Sequence, residues 1–143
     1  MFEILSRFLI ALAIGGLIGL EREVYQQKRK RGFAGIRTYI LVSFLGAVTS
    51  YLLQVEEWRI LGYLLLFCVI ALLVAAYTVS AVQGYTGLTT ELSVVLVFVL
   101  AFLATVPEYQ KIAVIFTVVL AVVLSMKEHL HKLARMPKRI EWY

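Results

Sequence analysis

Eight residues in three short stretches have the types and spacing to do chemistry. Glu21, Arg22 and Glu23 finish the apolar run GGLIGLERE, Arg37 and Thr38 stand in GIRT, and Thr89, Thr90 and Glu91 stand in GLTTE. Carboxylates beside guanidinium groups can hold a cation or neutralise one another. At membrane depth such groups usually pair and often mark an ion or proton path. Glu21, Glu23 and Glu91 are the candidate metal ligands. Mg²⁺ is the ion that suits them, because it takes carboxylate and water oxygens in octahedral geometry. The same residues would also make a closed ion-pair network, since three carboxylates against two arginines leave a formal −1.

Other chemistries find no footing. His129 and His131 are two residues apart and diverge on a helix. Cys68 is the only cysteine, without a disulfide or CxxC partner in the chain. No glycine-rich phosphate loop and no nucleophile–base pairing is visible, so no catalytic reaction is assigned, and Mg²⁺ is the one cofactor considered.

The elements that position these residues belong in lipid. The chain has 143 residues, 62% of them hydrophobic and only 16% charged, where a soluble domain carries about a quarter charged. No Asp, Glu, Lys or Arg occurs at Thr38–Val55, Ile60–Thr90, Leu92–Pro107 or Ile112–Met126. Crossing a bilayer takes roughly 20 apolar residues. The pattern predicts an all-α integral membrane protein, a bundle of five transmembrane helices at about 4–21, 36–55, 59–82, 90–106 and 110–127. Residues 1–127 form that domain and 128–143 a basic cytoplasmic tail, which extends the last helix along the headgroups as far as Pro137. The first helix ends in Glu-Arg-Glu rather than a small-residue cleavage site, and is expected to be retained.

Charge sets direction. Of the fourteen Lys and Arg residues, six lie between the first two helices, counting Arg22 and Arg37, and five lie from Lys127 to the end of the chain. An odd number of spans puts both blocks on one side, which the positive-inside rule makes cytoplasmic. The N-terminus is then outside and the C-terminus inside. The net charge of +5 is spent on orientation, and no basic face remains for nucleic acid. With this topology the ends carrying Glu21, Arg22, Glu23, Arg37, Thr38, Thr90 and Glu91 share one depth at the cytoplasmic face.

Helix geometry adds a packing face. Ala11, Gly15 and Gly19 recur every four residues, a stripe that allows close backbone approach in lipid. Arg22 returns to that stripe three residues later, so it points into a helix contact. Arg37 opposes the dipole at the start of its helix, which a nearby carboxylate would offset. It reads equally as an interfacial anchor reaching the headgroups. Glu91 suits the first turn of the fourth helix, capped by Thr89 or Thr90.

Together GGLIGLERE, the basic loop, AGIRTYILVSFLGA and GLTTELSVVLVFVLAFLA resemble the membrane domain of the MgtC/SapB family over roughly Phe8 to Leu124. The resemblance implies a five-helix prokaryotic inner-membrane protein connected with magnesium homeostasis or acid tolerance. Gly19, Glu21, Arg22, Glu23, Gly35, Arg37 and Thr38 match the family's motifs, and Glu91 matches the version ending in TTE. FCVIALLVAAYTVSAVQGYTG stands where MgtC proper has a glycine-rich third helix. With no counterpart of the soluble C-terminal domain or of the second membrane domain, the chain looks like the SapB-like branch reduced to its first domain. Roles tied to those parts, ATP-synthase inhibition among them, are not expected.

Two functions follow as expectations. One is cation transport or sensing through Glu21, Glu23 and Glu91, organised by Arg22 and Arg37. The other is a non-transporting regulatory module that docks another membrane protein through the Ala11–Gly15–Gly19 stripe. A homodimer in the lipid bilayer is expected for both.

Overall fold

The computed structural model describes residues 1–29, 35–82, 84 and 88–134. Lys30, Arg31 and the stretch from Arg135 to Tyr143, with Pro137, lie outside the described residues. Five α-helices follow one another: α1 (Phe2–Arg29), α2 (Ile36–Gln54), α3 (Arg59–Val82), α4 (Leu88–Ala104) and α5 (Gln110–Ala134). A single 3-10 turn at Glu56–Trp58 joins α2 to α3. Among the described residues there is no strand. Helix is the form that satisfies every backbone donor and acceptor inside its own segment, as lipid requires.

By length and composition α1, α2 and α3 are apolar enough to cross a membrane, while α4 and α5 contribute shorter apolar segments at Thr89–Ala104 and Gln110–Met126. This is a helical membrane protein. The first helix does not stop at Glu21–Glu23, as the change of composition suggested. It continues to Arg29, so the charged triplet lies inside a helix and keeps helical register with the glycines. Thr89 and Thr90 likewise fall within the first turn of α4 rather than at its cap.

The bundle is organised around α2, which packs on α1, α4 and α3. Its inward face is small or polar: Tyr39, Ser43, Gly46, Ala47, Thr49 and Ser50 are all buried. Ser43 and Thr49 donate to the carbonyls of Ile40 and Leu45 at 2.8 and 2.7 Å, which disposes of their protons in a dry interface. The same smallness brings backbones together. A Cβ on Gly46 would meet the carbonyl oxygen of Phe98 in α4 at 2.5 Å.

Away from the charged end, Ala11, Ile14, Ala47, Leu100, Ala101, Ala104 and Ala113 make one core cluster. A second, of Ile18, Tyr39, Val94, Val97 and Leu124, lies directly beneath the charged residues. The third helix rests mainly on α2, and only 11% of its apolar window is buried. Phe67, Leu72 and Ile60 therefore face outward, where lipid is the solvent their composition requires.

Candidate functional site

The site forms where the C-terminal half of α1 meets the first turns of α2 and α4. The glycines of α1 make the meeting possible. A Cβ on Gly15 would lie 2.6 Å from the Tyr39 carbonyl oxygen and would also strike Ser43, while one on Gly19 would lie 3.0 Å from both Ile36 Cα and Tyr39 Cβ. The stripe of Ala11, Gly15 and Gly19 is thus covered by the chain's own helices. It is not a free surface at Gly15 and Gly19, which removes the face that docking to another membrane protein needed.

Continuing that stripe, Arg22 is the largest fully buried side chain among the described residues, 1% exposed. Its Nε donates to Glu21 Oε2 at 3.0 Å, and its guanidinium lies over the Tyr25 ring, 5.3 Å from the centroid. A desolvated cation gains about 2 kcal/mol or more from such a ring. Arg22 Nη2 is buried and has no hydrogen-bond partner. A buried polar group left unpaired costs about 1–3 kcal/mol, and more when charged.

From α2, Tyr39 reaches into the same region, wholly buried, and its hydroxyl lies 2.6 Å from Ser93 Oγ on α4. Ser93 donates its own proton to the Thr90 carbonyl at 2.7 Å, so Tyr39 is the donor to Ser93. Glu91 is half-buried in the first turn of α4, and its Oε2 is buried without a hydrogen-bond partner.

The remaining candidates separate from this group. Glu23 Oε2 accepts the Ile36 amide at 2.9 Å, so a carboxylate of α1 caps α2 across the intervening loop. Arg37 is exposed and makes no ion pair among the described residues, so of its two readings no carboxylate partner is seen there. Thr38 is exposed as well. Together with Glu23, Gln26, Gln27, Gly35 and Ile36 they line an open recess of about 530 Å³. Thr90 enters through its carbonyl. Among the described residues no three His, Cys, Asp or Glu side chains gather as a metal cage, and Glu21, Glu23 and Glu91 do not form one.

Sequence reasoning missed Tyr39 and Ser93. Ser93 carries a signal in retrospect, as the only polar residue between Leu92 and Ala104. Tyr39 carries none, because a tyrosine near a membrane boundary reads as an interfacial anchor.

This constellation lies inside a match to a known family. The MgtC family model matches residues 8–133, nearly the whole chain and all of the site. The chain belongs to the MgtC family. The match agrees with the resemblance carried by GGLIGLERE, AGIRT and GLTTE. No curated protein and no solved structure matches the chain. In this MgtC-family chain the motif residues divide by role. Gly19 sets the approach of two helices, Glu23 caps one of them, Glu21 pairs with Arg22, and Glu91 turns a buried carboxylate oxygen inward.

Proposed function

We propose that this MgtC-family protein is a five-span inner-membrane protein that senses or moves Mg²⁺ or a related cation at its cytoplasmic end, through the cluster of Glu21, Arg22, Tyr39, Ser93 and Glu91. Family membership makes it a magnesium- or cation-related membrane protein. Eleven of fourteen Lys and Arg residues on one side support the orientation. The 17 residues of α4 rise about 26 Å, short of the roughly 30 Å hydrocarbon core. Local thinning of the bilayer accommodates that mismatch at modest cost.

The observation that carries the reading is the buried Glu91 Oε2 without a partner. Arg22 opposite Glu21 and Glu91 leaves a formal −1 at this end of the bundle, which a cation would offset. With no three-residue cage, the ion keeps most of its water and meets one carboxylate, the habit of Mg²⁺. Tyr39 and Ser93 hold α2 to α4 beside it. No catalytic role is proposed.

Mg²⁺ binding and flux in proteoliposomes test this, wild type against Glu91→Gln. Loss of both supports it, and equal values refute it. A homodimer remains part of the proposal, and cross-linking that yields monomers alone would remove it.

A further inference from the structure

Neither Arg22 nor Glu91 lines the open recess between the end of α1 and the start of α2, so the recess stands apart from the cation reading. Its two charged side chains have opposite signs and do not pair with each other. Glu23 spends Oε2 on the Ile36 amide at 2.9 Å, and its Oε1 has no partner among the described residues. Arg37 is exposed and likewise forms no ion pair among them. Gln26, Gln27 and Thr38 add amide and hydroxyl groups to the lining. At about 530 Å³ the recess has the size of a small-ligand site. A guanidinium and a carboxylate that share a cleft without meeting complement a ligand that carries one charge of each sign.

Depth says where such a ligand comes from. The 19 residues of α2 rise about 28 Å, close to the roughly 30 Å hydrocarbon core, so its first turn lies at the headgroup boundary. Here α1 runs on past Glu23 to Arg29 and forms a wall within the headgroup layer. Below the recess the surface turns apolar on both helices. Leu41 and Phe44 follow Arg37 on one face of α2, Val24 and Leu20 precede Gln27 on one face of α1, and all four are exposed. Acyl chains have a track there that a water-soluble ligand would not use.

We propose that the recess binds the headgroup of phosphatidylethanolamine, a zwitterionic lipid of the bilayer, with its phosphate on Arg37 and its ammonium on Glu23. The guanidinium fork takes two phosphate oxygens at once. The ammonium donates to Glu23 Oε1 while Oε2 keeps its bond to α2. Phosphatidylcholine offers the same phosphate but no N–H for Glu23, and phosphatidylglycerol offers no cation.

The test is native mass spectrometry of the full chain released from nanodiscs holding equal amounts of these three lipids. Wild type is expected to retain phosphatidylethanolamine about tenfold over either competitor, the worth of one hydrogen bond to a charged group. Glu23→Gln keeps an acceptor for the Ile36 amide and removes the charge, so the preference should vanish. Arg37→Gln, at a residue without an ion pair among those described, should lower retention of all three. Equal retention by wild type overturns the proposal. So does a preference for phosphatidylglycerol, which would make the recess an anion site. An undiminished preference in Glu23→Gln, or wild-type retention in Arg37→Gln, overturns it as well. Phosphoethanolamine without acyl chains should not displace the lipid, and displacement at equal concentration would refute the lipid assignment. Should Glu23→Gln fail to fold, wild type and Arg37→Gln still decide.

Discussion

Tyr39 and Ser93 form a hydrogen bond whose two ends are unequal, and the inequality predicts the order of three variants. Tyr39→Phe removes the donor. Ser93 keeps its own proton on the Thr90 carbonyl at 2.7 Å and loses only an acceptor role, so nothing buried is orphaned. The cost is that of one interhelical bond in a membrane protein, about 0.6 kcal/mol on average and about 1.7 at most. Ser93→Ala removes the acceptor instead. The hydroxyl of Tyr39, on a residue 0% exposed, is then left without its 2.6 Å partner. The penalty rises to about 1–3 kcal/mol, the desolvation of an unsatisfied donor. Adding Tyr39→Phe to Ser93→Ala deletes that orphan, so the double variant is more stable than Ser93→Ala alone. The difference of about 1 kcal/mol corresponds to roughly a fivefold change in the unfolding equilibrium. Reversible unfolding in bicelles by steric trapping resolves it. A double variant less stable than Ser93→Ala would refute the assignment of donor and acceptor.

The glycines give a second contrast. Gly46→Ala drives a Cβ to 2.5 Å from the Phe98 carbonyl and is expected to cost about 1–3 kcal/mol. Gly16→Ala meets nothing within 4 Å and should gain about 0.5–1 kcal/mol, both read from the same unfolding assay. Glu23→Ala removes the cap on Ile36 and should cost about 1 kcal/mol, with faster amide exchange confined to the first turn of α2. Arg37→Gln, at an exposed residue without an ion pair among those described, should leave thermal stability unchanged in a melting scan.

The α2, α3 and α4 segments and the near side of α5 were legible as apolar runs bounded by charge, because a bilayer demands uninterrupted stretches and tolerates few exceptions. The end of α1 was not. Glu21–Glu23 look like a boundary in composition, yet backbone hydrogen bonds continue through polar residues without penalty once water is near. Arg22's return to the glycine stripe follows from the helical repeat alone. Its partners do not follow, because several carboxylates lay at the same expected depth.

Sequence by itself determined the class of the molecule, its family and the end of the bundle where charge collects, since hydropathy and motif spacing are properties of the chain read in one dimension. Only the tertiary structure decided which carboxylate does what. Glu23 turned to the α2 amide, Glu21 to Arg22, Arg37 to the exterior, and Glu91 inward without a partner. Those assignments depend on helix rotation and on interatomic separations set by Gly15, Gly19 and Gly46, where a difference of an ångström separates a hydrogen bond from an unpaired charge.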